Sequence, residues 1–247
     1  MKIKLSVWSV AVFSLFLSLS IKAQGINPFL EKTFAKKWSC DISMKYLIHL
    51  PDGYDDSPKK WPLLLYLHGG MGRGNDFKKL HWYPVPRMIL EGKYDLPFIV
   101  IIPQCPEGKM WSDMELISVV ELVKNTIESY KVDENRIYAV GFSMGGNGVL
   151  ALANYVPDMF ASIAPMSGMS NTWWASRIKN IPSWFFHGAK DDHVPVRESD
   201  EMVDALKKEG AEVKYTRDDE RVHSPPTEKE HLALFDWLLK HKKNFPK

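Results

Sequence analysis

Arg136-Ile137-Tyr138-Ala139-Val140-Gly141-Phe142-Ser143-Met144-Gly145-Gly146 is the stretch on which the fold turns. An apolar run ends at a glycine, a serine follows two residues later, and two further glycines lead into a helical segment, Asn147 to about Tyr155. G-x-S-x-G between a strand and a helix has the spacing of a nucleophile elbow. A turn this tight holds the serine in a strained backbone conformation, and side chains beside it would collide with the strand and helix, so glycines flank it. The hydroxyl is then raised over the carboxyl ends of the strands, where open α/β sheets form their crevice. The helix N-terminus just beyond favours negative charge developing nearby.

Working outward, Trp61–Leu67, Pro97–Ile102, Ala161–Ala164 and Pro182–Phe186 are near-continuous apolar runs. Runs without alternation fit strands covered on both faces, as in a parallel sheet. Lys45–Leu50, followed by Pro51-Asp52-Gly53, reads as an antiparallel strand before a turn. Helical spacing appears from Met114 to Tyr130, from Arg197 to Glu209 ahead of Gly210, and from Glu228 to about Lys242. Strand–helix alternation over residues 24–247 predicts one doubly wound α/β domain, its mostly parallel sheet flanked by helices on both faces.

The chain has 247 residues, 45% of them hydrophobic and 25% charged, an ordinary globular balance that excludes a disordered or disulfide-dense chain. Residues 1–23 read as a signal peptide: Lys2 and Lys4 precede an apolar run from Leu5 to Leu19, and Ala23 offers a small residue for cleavage. An uncleaved anchor is the alternative. Export is therefore expected, to the periplasm or beyond, with no membrane span after cleavage. The formal charge is +2, and loss of Lys2, Lys4 and Lys22 takes it to about −1. That removes any compositional case for nucleic acid or anionic membrane as a partner. In an exported chain Cys40 and Cys105 either pair or remain two small buried thiols.

A serine nucleophile needs a base and an acid, in that fold following it in the order acid, then histidine. His187-Gly188-Ala189-Lys190-Asp191-Asp192-His193-Val194-Pro195 leaves a strand as a polar loop with two competing carboxylates, Asp191 and Asp192. Of the later histidines, His193 is too near in sequence, His231 lies inside the last helical pattern and His241 sits among lysines. His223 occupies the loop between Glu212–Thr216 and the final helix, able to reach across the sheet top. His187, Asp191 and His193 also suggest a metal cluster. Earlier, Leu67-His68-Gly69-Gly70-Met71-Gly72-Arg73-Gly74-Asn75-Asp76 follows a buried strand, and such a glycine-rich loop turns backbone N–H groups toward the crevice. It lacks the Gly-Lys-Ser/Thr ending and the G-x-G-x-x-G spacing of phosphate-binding loops.

These pieces, with Ile102-Pro103-Gln104-Cys105-Pro106 and Leu234-Phe235-Asp236-Trp237-Leu238-Leu239, make the chain resemble the α/β-hydrolase serine esterases of the phospholipase/carboxylesterase, feruloyl-esterase-like and predicted-peptidase group. The resemblance implies a Ser143–Asp191–His223 triad, the acid being the Asp three residues before Val194-Pro195. It also implies an oxyanion hole from the N–H groups of Gly70 and Met144. One departure stands out: where such proteins often carry Gly-His-x-x-Trp, this chain reads Val222-His223-Ser224-Pro225-Pro226, without the aromatic wall. The expected chemistry is two-step acyl transfer to water, with no metal and no cofactor. Trp111, Trp173 and Trp174 follow strand ends, either lining the mouth for an aromatic or sugar group or packing the loops down. Acetyl or feruloyl esters of plant polysaccharides are the expected substrates. A serine peptidase of the same fold, or a binding protein retaining it, are the competing readings.

Overall fold

The apolar runs pair side by side because each can bury both faces only inside a sheet with helices above and below. The structure, a computed structural model, describes residues 41–243, so the expected leader at 1–23 and Cys40 lie outside the described residues. The strands are β1 (Tyr46–His49), β2 (Trp61–Leu67), β3 (Ile99–Pro103), β4 (Val132–Phe142), β5 (Ser162–Met166), β6 (Ser183–Gly188) and β7 (Val213–Asp218). They form one seven-stranded sheet in the order β1-β3-β2-β4-β5-β6-β7. Only β1 runs antiparallel, Tyr46 opposite Pro103; every other pairing is parallel. The helices are α1 (Pro84–Glu91), α2 (Asp113–Ser129), α3 (Met144–Tyr155), the single-turn α4 (Ala175–Ile178), α5 (Arg197–Lys208) and α6 (Glu228–Leu238).

Alternation along β2 divides the core. Leu63, Leu65 and Leu67 pack with Ile99, Ile101, Ala139, Val149, Phe185 and Met202 on one face. Leu64 and Tyr66 pack with Val100, Val140, Phe186, Leu234 and Phe235 on the other. All five β2 residues named are fully buried. Truncating one of these leucines to alanine costs about 2–5 kcal/mol.

Helix α1 has no counterpart among the expected elements. Pro84 and Pro86 stand in its first turn, where a missing N–H is harmless because the first amides of a helix lack an intrahelical acceptor. Gly92 at φ 60° ends it. The last helix stops at Leu238, short of the expected Lys242, and α3 begins at Met144, directly after the serine.

The order of strands positions the site. From β2 the chain moves one way to β3 and then crosses back to β4 on the other side of β2. Between β2 and β4 the winding reverses, and parallel pairing brings the carboxyl ends of both strands to one edge, opening a crevice there. The β2 loop begins at His68 and the elbow lies at Ser143, each at one lip of that crevice. The loops after β6 and β7 emerge on the same edge.

Candidate active site

Ser143 occupies φ 57°, ψ −120°, a conformation that costs a non-glycine residue about 1–3 kcal/mol and persists only when its surroundings impose it. Here they do. The Ser143 N–H donates to the Met166 carbonyl at 2.8 Å, and its own carbonyl accepts from Asn147 N–H at 3.1 Å. A Cβ at Gly145 would overlap the Leu67 carbonyl oxygen, and one at Gly141 would overlap the Gly145 carbonyl. The turn is thus wedged between backbones with no space for a methyl group.

The three candidate side chains meet. His223 Nδ1–H donates to Asp191 Oδ2 at 2.7 Å, and the Ser143 hydroxyl lies 2.9 Å from His223 Nε2, the nitrogen left free to accept its proton. The Asp191 side chain is fully buried. Burial alone would raise its pKa, but the Val194 and His193 amides, at 2.8 and 2.9 Å, together with the His223 ring, hold it below the usual carboxylate range. Behind it, His187 donates from Nε2 to the Val194 carbonyl at 2.9 Å and accepts the Ser199 hydroxyl at 2.7 Å. Burial keeps that imidazole neutral by lowering its pKa. Asp192 is turned outward and bonds the His193 ring instead. Buried His231 is bonded to its own helix at Thr227, and His241 to Glu212.

The His223 loop has no regular structure, so its shape depends on side chains. Arg221 pairs with Glu230 at 2.7 Å and with Asp218 at 3.1 Å. Glu230 also bonds the Thr227 N–H, closing a capping box at the start of α6. That box, Thr227-x-x-Glu230, is a signal visible in the sequence that anchors the loop. The aromatic wall missing after His223 is supplied from elsewhere: Phe142 lies 4.9 Å from the imidazole, and the His193 ring stacks on it at 4.7 Å and 19°.

Gly70 opens a 3-10 turn and Met144 opens α3. N–H groups at such first positions have no intrahelical acceptor and are free to serve an oxyanion. A Cβ at Gly69 would lie 3.3 Å from Ser143 Cβ, so this loop rests against Ser143. Buried groups brace it. Cys105 N–H donates to His68 Nε2 at 3.0 Å, His68 Nδ1–H donates to the Gly69 carbonyl at 2.6 Å, and Gln104 bonds the carbonyls of Gly72 and Asp76. Burial pushes the His68 pKa down to about 4, partly opposed by the Gly69 carbonyl. Neither the His68 brace nor the Gln104 brace is legible in the spacing of the loop itself.

Trp111 is buried, its indole N–H donating to the His68 carbonyl at 2.9 Å, so it holds the loop from beneath. Trp174 is half-buried against the core, while Trp173 is 89% exposed. Cys105 is a buried free thiol whose pKa burial pushes up to about 12. Asp191, His193 and His223 have ligand atoms within 4.8 Å of one another. A metal there would have to take the Asp191 and His223 lone pairs that already bind His223 and Ser143. Among the described residues no helix is long and apolar enough to cross a membrane.

Sheet order, elbow and the loops beyond β6 and β7 define an α/β-hydrolase. Residues 39–226 match the family described as "Putative esterase", and the chain belongs to that family. A bifunctional acetylxylan esterase/xylanase of Neocallimastix patriciarum is 30% identical over 53% of this chain and 19% of its own length. Feruloyl esterase B of Thermothelomyces thermophilus is 26% identical over 52% of this chain and 45% of its own. The chain thus matches less than half the length of these relatives. A thermostable esterase crystal structure superposes with TM-score 0.66 at 28% identity, covering 81% of this chain and 60% of that one. A ferulic acid esterase structure, at TM-score 0.60 and 19% identity over 78% of this chain and 90% of that one, shares the fold.

Proposed function

We propose that the protein is an exported serine esterase that hydrolyses carboxylic esters through an acyl-enzyme on Ser143. The observation that carries this reading is the unbroken hydrogen-bond path from Ser143 Oγ through the His223 ring to buried Asp191. As the hydroxyl attacks the ester carbonyl, His223 Nε2 takes its proton and later returns it to the leaving alcohol. Asp191 keeps the proton on Nδ1 and stabilises the imidazolium. The N–H groups of Gly70 and Met144 receive the developing oxyanion, for which the preorganised loop needs no rearrangement. Water, activated by the same imidazole, then releases the acid.

Acetyl or feruloyl esters of plant polysaccharides are the proposed substrates, supported by the acetylxylan and feruloyl esterases among the relatives. The leader at residues 1–23 supports an enzyme that meets such polymers outside the cell. The test is turnover of p-nitrophenyl acetate, methyl ferulate and acetylated xylan by wild type and Ser143→Ala. The variant should lose on the order of 10⁴–10⁶ in kcat. Retention of most of the turnover defeats the assignment of the nucleophile, and simple aryl esters as the sole substrates defeat the polysaccharide reading.

A further inference from the structure

Arg73 follows directly on the turn that Gly70 opens. Its Nε lies 3.3 Å from Met144 Sδ and its Nη2 lies 2.9 Å from Met110 Sδ. The same Nη2 is 3.6 Å from where a Cβ on Gly70 would stand. The guanidinium is therefore lodged between Gly70 and Met144, whose amides flank the nucleophile. Its neighbours are otherwise satisfied: Lys79 reaches Glu107 at 3.4 Å and the Arg73 carbonyl at 2.9 Å. No carboxylate stands within 4 Å of the Arg73 guanidinium among the described residues.

A guanidinium keeps its charge at every working pH and carries five donors in a fixed plane, while a thioether is a weak acceptor. Two sulfur contacts hold the group in place without answering its charge. The backbone beneath it is braced by Gln104, which donates to the Gly72 carbonyl at 2.9 Å, and by the Gly74 N–H, which donates to the Cys105 carbonyl at 2.9 Å. The fork matches a carboxylate, which it binds through two parallel charge-assisted bonds.

We infer that Arg73 is a substrate-binding residue that takes a carboxylate carried by the ester, on either its acyl or its alcohol part, so that the enzyme favours acidic esters over neutral ones of the same size. This rests on the serine-esterase reading and names a substrate class for it. Acidic sugar units and half-esters of dicarboxylic acids both carry the required group.

The experiment uses two matched pairs of substrates on wild type, Arg73→Gln and Arg73→Lys. The acyl pair is the mono-p-nitrophenyl ester of glutaric acid against p-nitrophenyl valerate. The alcohol pair is 4-carboxyphenyl acetate against 4-(methoxycarbonyl)phenyl acetate. In at least one pair, Arg73→Gln should lower the acidic-to-neutral ratio of kcat/KM about tenfold or more, mainly through KM, and Arg73→Lys should restore part of it. An unchanged ratio in both pairs overturns the inference. Equal losses for acidic and neutral esters would make Arg73 a helper of the oxyanion, and loss of thermal stability alone would make it packing. Fluorophosphonate labelling of Ser143 on the same samples separates the two levels. Labelled enzyme with an unchanged ratio sinks this inference alone, whereas unlabelled and inactive wild type sinks the esterase reading with it.

Discussion

The two sides of the crevice are held by different forces. On the β2–β4 side, residues 67–72 and 141–146 meet backbone to backbone, with Gly145 against the Leu67 carbonyl and Gly69 against Ser143. On the β6–β7 side, the loops carrying Asp191 and His223 are held by side-chain bonds: His187 to Val194, Arg221 to Glu230, Thr227 to Glu230. Steric wedging leaves no alternative conformation of similar energy, whereas a polar scaffold can be loosened one bond at a time. The Ser143 side should therefore respond to substitution in an all-or-none way, and the Asp191–His223 side in steps.

The sharpest way to break this contrast is Gly145→Ala. One methyl group against the Leu67 carbonyl should cost at least about 3 kcal/mol or prevent folding, read as thermal or urea unfolding. Near-normal stability would show the wedge to be slack. Acid titration probes the same side through His68. The native imidazole titrates at about 4 and the unfolded one near 6.5. Above pH 6.5 both states are neutral and the group adds no pH dependence. Between 6.5 and 4 the unfolded chain binds a proton that the native state refuses, so stability falls as pH falls. Below 4 the loss levels off at about 3 kcal/mol in total. A melting series from pH 7 to 4 should show the decline, and His68→Gln, although less stable at pH 7, should show a shallower one.

On the other side the effects are smaller. Glu230→Gln weakens the tether between Arg221 and α6 and should lower stability by about 1–2 kcal/mol. It should also slow kcat several-fold, with Ser143 still labelled. Complete loss of labelling would mean that the His223 loop is no more forgiving than the elbow. The smallest effect is expected at His193. Ring–ring contacts contribute about 0.5–1.5 kcal/mol, so His193→Ala should lower kcat about two- to tenfold, and His193→Phe should recover most of it. Failure of the phenylalanine to rescue would remove stacking as the explanation.

The same contrast explains what the sequence discloses. Wedged turns leave glycines at fixed offsets, and buried strands leave unbroken apolar runs, so the elbow, the sheet and most helices are legible from residues 45 to 238. The order acid-then-histidine leaves four histidines, of which the position in a loop ahead of the last helix singles out His223 as the candidate base, and the hydrogen bonds select Asp191 over Asp192. Contacts between residues distant in the chain leave no such trace. His193 stacked on His223, Gln104 under the glycine loop, and Arg73 lodged beside Met144 follow from how loops meet above the sheet. Helix α1 was hidden for a local reason, since prolines in a first turn read as interruptions. Of the tryptophans, Trp111 serves as packing because its N–H finds a buried carbonyl, a partner no spacing rule identifies.

Intact-mass analysis after treatment with a fluorophosphonate, followed by peptide mapping, bears most directly on the central claim that the hydroxyl at position 143 is activated by the imidazole at 223. One adduct per chain on the Ser143 peptide is predicted, formed at least 10³-fold more slowly in His223→Gln, a loss on the scale expected for removing a member of such a catalytic unit. An adduct on another residue, or equal labelling rates in wild type and His223→Gln, would contradict it.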